Sequence, residues 1–315
     1  MKNYGIMHFQ YANLENFTSA IGMEIRKKMN KYLRDILKKA AKEEIVVEHY
    51  PQLHDDEAYI FVSLHNFVED TIVNLATIDR NAYLLFGTTD QLKVNKEMYF
   101  AWLNGFIYVD RTDKTNRAMA LEKMARVLNN GNSVLIFPEG GFNNTENVLC
   151  QKLFASPFIL AKKTGAKVVP IAPFYEYGSS KVYINVGEPL DLAAFDDKKE
   201  ALLYLRDILS TLLYELIEKY STPIARAELQ GDFRMAFMEQ RKKEYMKTKW
   251  TKDVWDEELT RYYDAKERDY LDMLASIDNI KVTIENGGIL GPTLVRRLED
   301  KKYDFKQYMH ENWNK

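Results

Sequence analysis

The sequence predicts an α/β protein: a mostly parallel or mixed central sheet flanked by helices, with a basic N-terminal helix and a helical C-terminal extension. Three observations carry this. Short runs of β-branched and aromatic residues alternate with longer segments of three- and four-residue apolar spacing, the pattern of strands covered by helices. His65, Arg111 and Glu139 stand just past three of those runs, so parallel strands would bring them to one sheet edge, where open α/β sheets place ligands. The 315 residues, 46% hydrophobic and 29% charged, suffice for one large domain plus an appendage.

We divide the chain into an N-terminal helical segment (1–57), an α/β domain (58–220) and a charged helical extension (221–315). Met1 to Ala20 carries no clear pattern. From there Ile21, Ile25, Met29, Tyr32, Leu33, Ile36 and Leu37 recur at helical steps. The opposite face carries Arg26, Lys27, Lys28, Lys31, Arg34, Lys38, Lys39 and Lys42. Such a helix either packs its apolar face on the core or lies in an anionic membrane interface.

Ala58 to Val62 reads as a buried strand that runs into His65, with Asp70 five residues on and a helix opening at Thr71. A neutral imidazole can take a proton from a hydroxyl, and a carboxylate can fix its tautomer. Spacing alone leaves a purely structural histidine open. Ala82 to Phe86 is the next strand, and Thr88 or Thr89 can cap a helix ended by Gly105. Phe106 to Val109 and Ser133 to Phe137 are strands on either side of a helix over 116–130; Ser156 to Thr164 is a further helix. Val168 to Phe174 is a fifth strand, Lys181 to Val186 alternates like a half-exposed one, and Asp197 to Tyr220 is helical. Beyond Pro223, charge dominates, and the 241–252 stretch, with Tyr245 and Trp250 among lysines, is a second basic and aromatic candidate for a membrane interface.

A net charge of −2 argues against a general nucleic-acid binder. A single cysteine, Cys150, excludes an internal disulfide and suits a reducing compartment. No leader pattern and no run of 18 apolar residues is visible, so the expectation is a cytoplasmic protein held at the membrane peripherally. No cluster has metal-ligand spacing.

Four segments in order then stand out: His65 to Asp70, Gly105-Phe106-Ile107-Tyr108-Val109-Asp110-Arg111, Phe137-Pro138-Glu139-Gly140, and Val168-Val169-Pro170-Ile171. Together they resemble the four blocks of the PlsC-type glycerophospholipid acyltransferase superfamily. Phe142-Asn143-Asn144-Thr145 is similar to an extension seen in some eukaryotic-type members. Leu64, Phe67 and Gly141-Phe142 depart from the residues common there, which leaves the acceptor headgroup open. The resemblance implies transfer of a fatty acyl group from acyl-CoA or acyl carrier protein to a lysophospholipid hydroxyl, with 1-acylglycerol-3-phosphate first. Glycerol-3-phosphate, another lysolipid, or a non-catalytic lipid- or partner-binding role are the alternatives. It implies His65 as general base, Asp70 as its orienting carboxylate and Arg111 as phosphate ligand. Glu139 would bind the acceptor hydroxyl or hold its loop, Gly140 and Gly141 would offer N–H groups to an oxyanion, and Pro170 would shape the site wall. No covalent acyl-enzyme through Cys150, no metal and no cofactor beyond the acyl donor is expected.

Overall fold

The computed structural model describes residues 19–41, 44–66, 69–87, 105–110, 113–143, 148–175 and 180–221. Arg111, the helix expected after Thr88 or Thr89, and the 222–315 part of the extension lie outside them.

Helix α1 (Ala20–Ala40) begins at Ser19, whose side chain accepts the Gly22 N–H at 3.1 Å, a cap contributing about 1 kcal/mol. β1 (Glu44–His49) and β2 (Tyr59–Ser63) come next, then α2 (Asp70–Thr77), β3 (Ala82–Phe86) and β4 (Phe106–Tyr108). α3 (Lys114–Asn129) leads into β5 (Ser133–Ile136), and α4 (Ser156–Thr164) into β6 (Lys167–Tyr175). β7 (Lys181–Val186) precedes α5 (Lys198–Tyr220).

Among the described residues these strands form one sheet in the order β1-β7-β6-β2-β5-β3-β4. β6, β2, β5, β3 and β4 run parallel; β7 is antiparallel to β6, and β1 parallel to β7. The sheet is therefore mixed, as expected. Five parallel strands end on one edge, so the segments leaving β2, β5 and β4 all emerge there.

β2 is buried along its whole length, so its two faces belong to two cores. Ile60 and Val62 pack with Met124, Val127, Leu160, Leu205 and Leu209 from α3, α4 and α5; Tyr59 and Phe61 pack with Val73, Leu75 and Ala76 of α2. Each such aliphatic side chain contributes about 1.5–3 kcal/mol on burial.

Three expectations change. Glu44–His49 lies inside the segment expected to be helical, but it is a strand at the edge of the sheet. Mostly exposed, with a bulge between Val47 and His49, it lacks the apolar run that marks buried strands. β7 is buried rather than half-exposed, because α5 covers the face bearing Tyr183 and Asn185; Asn185 donates to Glu215 Oε2 at 2.8 Å. Arg26, expected on the solvent face of α1, is 1% exposed, beside Met23, Leu33 and Leu37 on the buried face. Its guanidinium lies 4.2 Å from the centre of the Tyr83 ring, a cation–π contact of about 2 kcal/mol when dry. Burial lowers it to about 10, so it stays charged near neutral pH.

That ion occupies the place where Gly105 would carry a Cβ: its Nη1 would be 1.8 Å away, and Gly105 has φ +86°. Gly105→Ala combines a left-handed backbone with an overpacked contact. It is expected to cost at least about 2 kcal/mol, read as a Tm drop of about 4–8 °C. An unchanged Tm would mean that Arg26 leaves this seat freely.

Candidate active site

β2 delivers a histidine to the sheet edge. The Leu64 N–H still donates to the Ile171 carbonyl of β6 at 3.2 Å; at His65 the chain leaves the sheet. The His65 backbone is gripped on both sides. Its N–H donates to Glu139 Oε2 at 2.9 Å, and its carbonyl accepts the Asn143 N–H at 2.6 Å. The imidazole lies between two phenyl rings, with centroids 4.2 Å from Phe137 and 4.1 Å from Phe142.

Asp70 sits in the first turn of α2, where the helix dipole favours a carboxylate, and its side chain is fully buried. Its Oδ2 is 3.2 Å from His65 Nδ1 and accepts the Asn66 N–H at 2.5 Å. The Asn66 side chain in turn donates to the Pro173 carbonyl at 3.1 Å. A carboxylate only accepts, so the Nδ1 facing it carries the hydrogen. Nε2 is then the basic nitrogen. The His65 side chain is 16% exposed.

Glu139 bridges two backbone segments. Oε2 takes the His65 N–H, Oε1 takes the Gln151 N–H at 2.8 Å, and the residue is 6% exposed. Both oxygens are engaged by backbone, which ties the His65 and Gln151 segments together. Burial raises its carboxyl to about 7, against the lowering effect of those two N–H groups; nearby Asp70 adds to the rise and Arg206 opposes it.

Gly140 also departs from expectation. Its N–H closes a turn onto the Phe137 carbonyl at 3.1 Å, so it is not offered to an oxyanion. The φ of +73° and the Phe154 ring, 2.4 Å from the position of an added Cβ, require glycine there. The N–H of Gly141 has no acceptor among the described residues.

Pro170 pairs with Val62, a full three residues down β6 from Pro173, and packs against Gly187. Cys150 is buried, and its thiol donates to the Gln151 carbonyl at 3.4 Å. Arg111 is outside the described residues; just before it, the Asp110 N–H donates to Asn116 Oδ1 at 2.6 Å. Among the described residues no group of His, Cys, Asp or Glu could hold a metal ion.

Asn143, Gln151 and Arg206 were not singled out from sequence. Gln151 Nε2 donates to the Phe142 carbonyl and to Asn143 Oδ1, both at 3.3 Å, and Arg206 Nε donates to the Cys150 carbonyl at 2.8 Å. Only the polar extension after Gly141 hinted at Asn143. Nothing in the spacing marked the other two.

The fold thus brings an oriented histidine–carboxylate pair to the parallel edge of a mixed sheet. Residues 44–173 match the family model described as Acyltransferase. The chain is 26% identical over 129 residues to a 1-acyl-sn-glycerol-3-phosphate acyltransferase from Haemophilus influenzae. That match covers 38% of this chain and 53% of the relative, so it spans about half the length of that protein. The crystal structure of the 1-acyl-sn-glycerophosphate (LPA) acyltransferase PlsC from Thermotoga maritima is similar in fold, with a TM-score of 0.52 at 20% identity. The similarity covers 64% of this chain and 84% of that one.

Proposed function

We propose that the protein transfers a fatty acyl group from an acyl-CoA or acyl carrier protein thioester to the hydroxyl of a lysophospholipid, 1-acylglycerol-3-phosphate in the first instance. The observation that carries this is the His65–Asp70 pair, which leaves Nε2 as a positioned base. Nε2 takes the acceptor hydroxyl proton as the oxygen attacks the thioester carbonyl; the C–S bond then breaks and the imidazolium returns the proton to the thiolate. The thioester is already activated, so no acyl-enzyme, metal or further cofactor is invoked. The Gly141 N–H is the candidate oxyanion donor, and Arg111 the candidate phosphate ligand by residue type.

The test is a labelled acyl-CoA, and separately an acyl carrier protein donor, offered with glycerol-3-phosphate, 1-acylglycerol-3-phosphate, other lysophospholipids and a neutral alcohol. Transfer to a phosphate-bearing lysolipid supports the reading. Transfer to the neutral alcohol alone removes the phosphate assignment. No transfer from either donor favours a lipid-binding member of the fold.

On the same reading the protein works in the cytoplasm, at a membrane surface that it meets through α1. Ile21, Ile25, Met29, Tyr32 and Ile36 are 39–75% exposed in one stripe, distinct from the buried Met23, Leu33 and Leu37. Lys27, Lys28, Lys38 and Lys39 are exposed on the same helix. Apolar side chains beside cations suit an anionic interface, at about 1 kcal/mol per cation near the surface. No helix among the described residues is long and apolar enough to cross a membrane, and the basic 241–252 stretch lies outside them. Ile25→Asp with Tyr32→Asp is expected to weaken flotation with phosphatidylserine-containing vesicles at least about 10-fold, with Tm unchanged. Full retention of flotation would exclude α1 as the contact.

A further inference from the structure

The loop after β5, which sets Phe137 and Phe142 against the oriented histidine, is tied down by two buried amides that the transfer step itself leaves unused. Gln151, 7% exposed, donates both side-chain hydrogens into the loop, to the Phe142 carbonyl and to Asn143 Oδ1. Asn143, 6% exposed, sends its backbone N–H to the His65 carbonyl and its side-chain amide to the Val148 carbonyl at 2.8 Å. The Gln151 N–H meets Glu139, whose other oxygen holds the His65 N–H. Arg206 on α5 fixes the neighbouring Cys150 carbonyl.

These bonds converge on two objects: the backbone of His65 and the backbone of Phe142, whose ring lies 4.1 Å from the imidazole. We propose that Gln151 and Asn143 are positioning residues that set the orientation of the His65 imidazole through Phe142 and the His65 carbonyl. This rests on His65 acting as the base. With the ring confined between Phe137 and Phe142, only a narrow range of imidazole orientations keeps Nδ1 on Asp70. If Phe142 drifts, one wall of that slot is gone and Nε2 wanders from the line of the incoming hydroxyl. A displacement of about 1 Å of a catalytic group costs about 10²-fold in rate. Donating to two facing oxygens takes a side chain with two N–H groups, and the Gln151 amide supplies them without adding charge.

Gln151→Met keeps length and removes both donors. It is expected to lower kcat by about 10–100-fold with KM held within about 3-fold, in protein that stays folded at the assay temperature. Asn143→Ala should do the same, and the pair together should lose less than the product of the two, because they dismantle one brace. The second readout does not need turnover: the ring-nitrogen NMR signals of His65, assigned by their loss in His65→Ala, should change tautomer balance or titration in Gln151→Met. Activity lost only in proportion to the unfolded fraction, a rise in KM with kcat kept, or unmoved His65 ring-nitrogen signals would overturn the proposal. If the wild-type protein acylates no acceptor, the enzymatic reading fails, while the NMR comparison still decides whether the brace orients the ring.

Discussion

His65→Ala is expected to lower acyl transfer by about 10²–10⁴-fold with the fold retained, because it removes the proton acceptor and little else. The two backbone bonds at position 65 do not depend on the side chain, and Glu139 and Asn143 keep their grip. What is lost structurally is the filling between Phe137 and Phe142. Asp70→Asn separates orientation from basicity. Asp70 Oδ2 receives the Asn66 N–H and faces His65 Nδ1, and an asparagine presents one accepting oxygen and one donating amide. If the amide turns to the ring, Nδ1 must accept and the proton moves to Nε2, the nitrogen needed as base. In the serine-protease triad, where an aspartate orients a histidine in the same way, this replacement costs about 10⁴-fold. A comparable loss is expected here, measured as kcat with the best acceptor. Wild-type turnover by folded His65→Ala would sink the assignment of His65.

The second large effect is on stability, at Glu139. Glu139→Ala orphans the N–H groups of His65 and Gln151, which lie in a part-buried and a buried bond respectively. At about 1–3 kcal/mol for each unsatisfied donor, the expected loss is about 2–6 kcal/mol. The wild-type residue also makes stability depend on pH. Its folded value of about 7 lies above the ordinary 4.5, so the folded chain holds this proton more tightly than the unfolded one. Its contribution is complete below about pH 4.5 and is lost as pH rises through about 7, by about 3 kcal/mol in all. Glu139→Gln removes that titration while pressing an amide donor against one of the two N–H groups. Denaturant unfolding at pH 5 and pH 8 should therefore show the wild type losing more stability than Glu139→Gln over that interval. Equal losses would show that Glu139 titrates elsewhere.

The strands were legible where burial on both faces writes a continuous apolar run, as in Tyr59 to Val62 and Ser133 to Ile136. β1 was not, because an edge strand with Glu44, Glu48 and His49 in it needs no such run. Arg26 misled for a different reason. Periodicity assigns a face by charge, but a guanidinium can be buried where an aromatic ring lies beneath it and a glycine makes room. In the site, the pairing of His65 with Asp70 was readable because one strand end and one helix start supply both. The clamp made by Glu139 was not, because its partners are backbone N–H groups that carry no residue identity, one of them 74 positions away. Gln151 and Asn143 were hidden for the same reason: most of their bonds go to main-chain carbonyls, which every sequence possesses.

The buried Arg26 has a mechanical meaning. α1 is bolted to the sheet, not hinged on it: swinging the helix outward would strip a charged group from its ring and drag it through an apolar layer. Whatever the outer stripe of α1 lands on, the parallel edge carrying His65 arrives with it at a fixed tilt. On the proposed reading, with α1 on a lipid surface, that would turn the meeting of base and acceptor from a search through solution into a slide within a plane, with the angle of approach set by the fold.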